Sequence, residues 1–290
     1  FMIERKGRGA REVIAGTLSR LLPIFLVWEV VYVLVDVAAG GRFHPLPEAT
    51  AKGLLRFAAA AVYNGGIAFH LWFVVWLGIS IAIFVGLRRF GPVVSWGVIA
   101  SLFALGLAIG PYGAFTGLLD HVGPLATRPI SYTARNGPFF GPLFVALGAL
   151  IARRDLRLSR VAAVGLIVVG VGLEIVEGTT IASRGGRFVS SWDVTFGTPI
   201  FALGVVFLFR SFEGARSGVA RWWAAAGRLS LGLYCVHALL TDLWNARFPP
   251  EARDATPVAA TVLGTIGVIL ASLVVVSILA RVRVLRRVVV

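Results

Sequence analysis

Of 290 residues, 58% are hydrophobic and only 14% charged, with a mean hydropathy of +0.86. So much apolar surface excludes an ordinary soluble domain and points to an all-α fold, a polytopic bundle of transmembrane helices. The net charge of +14 would suggest a nucleic-acid partner in a soluble chain. Here the arginines stand in short blocks between apolar runs, as cytoplasmic loops require, so the charge reports topology.

The opening residues "FMIERKGRGAREV" are charged and lack the apolar core of a secretory leader. A chain that begins with Phe is expected to continue upstream. About 20 apolar residues cross the hydrocarbon core as a helix. Eight stretches qualify: 18–38, 68–87, 93–110, 137–152, 161–178, 194–211, 229–246 and 257–280. No tandem repeat, low-complexity tract or long linker divides them, so residues 1–290 are expected to form a single domain.

Before the first stretch, Arg8 and Arg11 share a helical face and Arg20 stands at the membrane entry. Three arginines there suit the phosphates of a nucleotide-like cofactor, or lipid headgroups under the positive-inside rule. Within the first stretch, Glu29, Tyr32 and Asp36 fall at i, i+3 and i+7, one face that should point into the bundle. An ionisable group in a span costs roughly 2.5 to 3.5 kcal/mol, so such a face is either a hydrogen-bonded seam or lines a substrate path. His70 opens the second stretch and Arg88 and Arg89 close it. The fourth carries Pro138 and Pro142 and is expected to pack inside the bundle, where neighbours satisfy freed carbonyls.

Glu174 and Glu177 share a face near the end of the fifth stretch, and Arg135 and Asp193 flank neighbouring ones. Together with His70, these carboxylates could position and deprotonate a sugar hydroxyl. Interfacial ion pairing is the alternative. In the seventh stretch Ser230, Tyr234, His237 and Thr241 form a second polar stripe, which spacing alone identifies as buried. His44 and His121 lie in loops, and Cys235 is the sole cysteine, so no intrachain disulfide can form. Phosphate-cradling loops, GxSxG, HExxH and CxxC spacings are missing from the sequence, and no metal is expected.

Lys and Arg alternate strongly: 19 of 28 fall in 1–20, 88–92, 152–160, 210–228 and 281–290, all on one side of an eight-span layout. That bias places both ends in the cytoplasm and His70 at the outer face.

Five segments, "LSRLLPIFLVWEVVY" (Leu18 to Tyr32), "FHLWFVVWL" (Phe69 to Leu77), "RNGPFFGPLFVALGALIA" (Arg135 to Ala152), "FGTPIFALGVVFLF" (Phe196 to Phe209) and "LSLGLYCVHALL" (Leu229 to Leu240), occur in this order. Together they resemble the acyltransferase-3 family of bacterial integral membrane O-acyltransferases, which modify surface polysaccharides and related glycans. The resemblance implies a ten-span bundle that uses cytosolic acyl-CoA, commonly acetyl-CoA, to acylate a hydroxyl on an extracytoplasmic or lipid-linked sugar. It implies that Arg8, Arg11 and Arg20 engage the CoA and that His70 serves the acceptor side, with Glu174, Glu177 and Asp193 shaping the acceptor pocket. The family's principal catalytic His lies in its first span, which this sequence lacks. The resemblance thus implies two spans ahead of Phe1 and an inactive fragment without them. A flippase or other transporter of lipid-linked glycan, which would not transfer an acyl group, is the alternative from another functional class.

Overall fold

In the computed structural model, residues 9–40, 50–53, 68–116, 137–183, 194–212, 229–248, 257–283 and 285–289 are described, with single positions at 55, 218 and 227. Every one of the eight predicted stretches contains a helix. They are α1 (Ala10–Ala38), α2 (Trp72–Leu87), α3 (Gly91–Ile109), α5 (Gly141–Arg154), α6 (Arg160–Ser183), α7 (Gly197–Arg210), α8 (Ser230–Arg247) and α9 (Pro257–Leu279). A single turn, α4 (Gly113–Thr116), follows α3. Among the described residues there is no strand.

Among the described residues, five helices are long and apolar enough to cross a membrane: α1, α2 with its 3₁₀ extension to Phe90, α3, α6 and α9. Large apolar side chains on them, including Leu34, Val161, Val168 and Leu263, remain more than 60% exposed, as lipid-facing residues are. The protein is therefore an all-α, multi-pass membrane protein. Helices α5 and α7 have only 14 residues each, about 21 Å at 1.5 Å per residue. That is short of the roughly 30 Å core.

The boundaries differ from the sequence expectation in two places. Helix α1 starts at Ala10 and runs 29 residues through Pro23, so Arg11 and Arg20 are helical. The prolines expected inside the fourth span lie at its edge: Pro138 falls in the preceding turn, and Pro142 sits in the first turn of α5. A missing N–H costs nothing there, because the first helical N–H groups have no intrahelical acceptor.

Contacts gather the chain into two compact units, one of residues 1–17 and 76–215, the other of 18–75 and 216–290. In the first, Val13 packs with Phe84, Val85, Ile99, Ala146 and Ala149, so the start of α1 is held against α2, α3 and α5. Phe103, Leu107 and Phe140 form a second cluster. Asp155 ends α5 in the left-handed conformation at φ 44°. Its carboxylate accepts from Arg210 at 2.6 Å and Arg157 at 3.3 Å, which ties the α5–α6 turn to the last residue of α7.

Helices α6 and α7 approach most closely, through glycine. A Cβ on Gly204 would lie 2.7 Å from the Ile167 nitrogen and 2.9 Å from the Ala163 oxygen, and one on Gly170 would strike the Phe201 backbone. Within a bilayer, where lipid is as apolar as the helix surface, close backbone packing supplies the association that hydrophobicity cannot. Gly204→Val is expected to force the pair apart and destabilise the protein by about 1 to 3 kcal/mol, measured as a lowered thermal midpoint in detergent, whereas Gly148→Ala, in open space on α5, leaves the midpoint unchanged.

Candidate active site

The second unit joins two polar stripes that look independent in the sequence. Tyr32, buried on α1, donates its hydroxyl proton to the Cys235 carbonyl at 2.8 Å and lies 3.1 Å from His70 Nε2. A carbonyl only accepts, so the single phenolic proton is committed to Cys235. The pairing that satisfies all three groups then has His70 Nε2–H donating to the Tyr32 oxygen, with the other ring nitrogen, Nδ1, carrying the lone pair of the neutral ring. Tyr234 donates to the His70 carbonyl. His70 is 6% exposed, on a 3₁₀ turn (Phe69–Leu71) that leads into α2.

His237, one turn along α8 from Tyr234, meets the His70 ring edge to face at 6.0 Å. Its Nδ1 lies 3.2 Å from the Leu233 carbonyl, and Thr241 donates to the His237 carbonyl at 2.8 Å. Since the Leu233 oxygen must be the acceptor, Nδ1 holds the proton and Nε2 is the basic nitrogen of the neutral imidazole. His237 also lines a cavity of about 600 Å³ with Ser230, Tyr234, Thr241, Trp244 and Asn245 of α8 and Thr265 of α9. These α8 residues fall at i, i+4, i+7, i+11, i+14 and i+15, so one polar face runs nearly the whole helix, about 22 Å at 1.5 Å per residue. Glu29 and Asp36 of the α1 stripe are buried, at 7% and 1% exposure.

The two glutamates belong to the first unit. Both Glu177 oxygens serve the N-terminus of α7: Oε1 accepts from the Phe196 N–H at 3.0 Å, Oε2 from the Gly197 N–H at 2.9 Å. Tyr112, in the turn after α3, donates to Oε1 as well. Burial, reinforced by the Glu177 carboxylate, pushes the Tyr112 phenol well above its ordinary value, so it stays a donor at any physiological pH. Glu177 thus supplies to α7 what a capping side chain would, satisfying N–H groups that have no intrahelical partner and neutralising the positive helix end. Glu174 packs beside Gly197 at the same helix start. Arg11 and Arg20 are both exposed on α1, Arg11 in the first unit and Arg20 in the second. Arg8, Asp193, Arg135, His44 and His121 lie outside the described residues. No group of three His, Cys, Asp or Glu side chains among the described residues is placed to hold a metal ion.

Compared with known protein families, residues 1–279 match the acyltransferase-3 family, described as an acyltransferase domain. The chain belongs to this family. Comparison with curated proteins and with solved structures found no match. Membership makes the protein a membrane acyltransferase.

Sequence spacing reads the α8 stripe as buried, but Ser230 is exposed and Tyr234, His237 and Thr241 are only partly buried, because this face borders a cavity; nor could spacing show that Tyr32 and Tyr234 are the partners of His70. The contacts join residues 38 and 164 positions apart, with no local signature. Tyr32→Phe removes the acceptor of the His70 N–H and is expected to cost about 1 to 3 kcal/mol. Nitrogen NMR of labelled histidine should find His70 as the Nε2–H tautomer in the parent and a mixture of tautomers in the variant. Glu177→Gln retains one acceptor but turns an NH₂ toward backbone N–H groups. A destabilisation of about 1 to 3 kcal/mol, coupled non-additively to Tyr112→Phe in a double-mutant cycle, would identify the cap by thermal unfolding.

Proposed function

We propose that the protein is a membrane O-acyltransferase that moves an acyl group, acetyl in the simplest case, from cytosolic acyl-CoA to a hydroxyl of an extracytoplasmic or lipid-linked glycan. The observation that carries this reading is His237, whose ring lines the cavity with its basic Nε2 set by the Leu233 carbonyl. Family membership supplies the reaction class, and the cavity beside His237 supports this reading.

The chemistry balances on groups within the second unit. The acceptor hydroxyl gives its proton to His237 Nε2 as its oxygen bonds to the thioester carbonyl carbon. The C–S bond then breaks, and the CoA thiolate leaves and takes the proton back from the imidazolium. A neutral imidazole suits this task because its ordinary pKa lies near the operating pH, so it can accept and return a proton within one turnover. Its backbone partner holds the ring in one tautomer, as an orienting partner does in other acid–base sites. Trp244 provides a flat apolar wall, while Ser230, Thr241, Asn245 and Thr265 provide the few polar groups that orient a hydroxylated ligand in a mostly apolar cavity. His70 acts in this scheme as a positioning residue, tied to α1 and α8 by Tyr32 and Tyr234.

The test is transfer of labelled acetyl from acetyl-CoA to membrane glycan by the full-length protein in proteoliposomes. His237→Ala is expected to lower kcat by about 10² to 10⁴, with His237→Gln, which keeps the size and polarity, no better. Full transfer by both variants would remove His237 from the reaction. Glycan crossing the bilayer without acquiring label would favour the transporter.

A further inference from the structure

The match to the acyltransferase family ends at residue 279, and the chain beyond α9 folds back onto the second unit. The end of α9 tightens first: the Arg281 N–H reaches the Ile278 carbonyl at 3.0 Å and the Val282 N–H the Leu279 carbonyl at 3.1 Å. The Arg286 N–H then bonds to the Val282 carbonyl at 2.8 Å, within a 3₁₀ turn (Leu285–Val288).

Val289, which follows that turn, is fully buried. Its carbonyl accepts from the Gly232 N–H at 3.2 Å. That N–H belongs to the first turn of α8, where backbone donors have no acceptor within the helix. Glycine is what permits the approach. A Cβ at position 232 would stand 2.7 Å from both the Cβ and the carbonyl oxygen of Val289, and 3.0 Å from Val276 of α9, itself fully buried. Val289 and Val276 therefore meet at the same spot on α8. Gly232 lies about 200° around the helix from Ser230, so Val289 grips the side of α8 away from the cavity face of Ser230, Tyr234 and His237.

The same segment carries Arg281, Arg283, Arg286 and Arg287, all exposed, and the sequence from Pro257 onward contains no Asp or Glu. Helix α9 is apolar up to Leu279 and long enough to span. The first of these arginines thus stands two residues past the apolar run, about 3 Å along the axis, at the level of lipid headgroups. There a guanidinium fork pairs with phosphate oxygens, and a cluster of basic residues directly beyond a span favours anionic lipid. A topological bias accounts for arginines in such a place. It does not account for a buried valine two residues beyond them whose carbonyl completes the start of another helix.

We infer that Arg281, Arg283, Arg286 and Arg287 form a docking surface for anionic phospholipid headgroups, and that Val289 couples its occupancy to the start of α8. Headgroups that hold the arginines also hold the turn, and Val289 stays seated. Without them the arginine charges repel one another, and the segment opens more readily, as a weakly held local unit does. Because α8 carries His237 on its other face, the charge of the surrounding lipid reaches the helix that lines the cavity. Nothing in this coupling depends on which group the protein transfers or on its donor.

Hydrogen exchange read by mass spectrometry tests it on the full-length protein in nanodiscs of phosphatidylcholine, with and without phosphatidylglycerol. Phosphatidylglycerol should slow exchange over residues 229–236 and 281–289 by about fivefold or more, the effect of a single arginine near an anionic surface, and added salt should reverse it. Arg286→Gln/Arg287→Gln should lose most of the lipid effect, whereas Arg247→Gln, at the other end of α8, should keep it. Val289→Ser and Gly232→Ala disrupt the contact from its two sides, and in both residues 229–236 should exchange at the same rate in the two lipids. Val289→Ser alters no residue of α8, so it decides alone should Gly232→Ala fail to fold. Equal exchange of the parent in the two lipids overturns the inference, as does a full lipid effect in the paired arginine variant. A lipid effect at 229–236 that survives in Val289→Ser also overturns it, since the coupling would then run elsewhere. If coenzyme A added to phosphatidylcholine discs protects the same residues as well as phosphatidylglycerol does, the arginines serve a soluble phosphate and the inference is likewise overturned.

Discussion

One proton on Tyr32 organises the second unit. In a bilayer a buried polar group has no water to fall back on, so each donor and acceptor must find a protein partner. The phenol of Tyr32 meets that requirement for α1 and α8 at once by giving its proton to the Cys235 carbonyl and accepting from His70. Tyr234 closes the arrangement from α8 onto the His70 backbone. With the turn ahead of α2 held in this way, His237 is left against the His70 ring on one side and a cavity on the other.

The same rule explains why the acidic residues do different work. The oxygens of Glu177 accept from two backbone N–H groups and a phenol at the start of α7. A helix that begins inside a membrane protein needs such acceptors, because its first N–H groups have no intrahelical partner. Asp155 performs the matching task at the other end, binding the last residue of α7. Polar groups at both ends of α7 therefore hold it in place, while the glycine contacts along α6 set its distance.

Donor and acceptor chemistry make opposite demands on a membrane enzyme. A CoA thioester is a polyanion and stays in the aqueous phase, whereas a glycan hydroxyl must be deprotonated where water does not compete. On the proposed reading, a neutral imidazole with its tautomer set by a backbone carbonyl suits the second.

Helix positions, the membrane class and the family were legible in the sequence, because hydrophobic runs and polar stripes are local patterns repeated along one chain. The burial of Glu29, Tyr32 and Asp36 followed from spacing alone, since i, i+3 and i+7 can only be one face. Spacing could not tell a seam from a site. The partners of His70 lie on helices far away in sequence, the prolines of the fourth stretch stand at the edge of its helix, and Glu177 binds the start of α7. Each of those outcomes depends on which faces meet, and that is decided by packing: by where glycine lets backbones close, by where a carbonyl lacks a donor, and by where a cavity is left between helices. The sequence by itself determined that this chain would be a bundle of membrane helices with the polar face of α1 turned inward. Only the tertiary structure decided that Tyr32 would lock His70 and that His237 would look into open space, because a hydrogen bond between distant residues leaves no trace in the order of the chain.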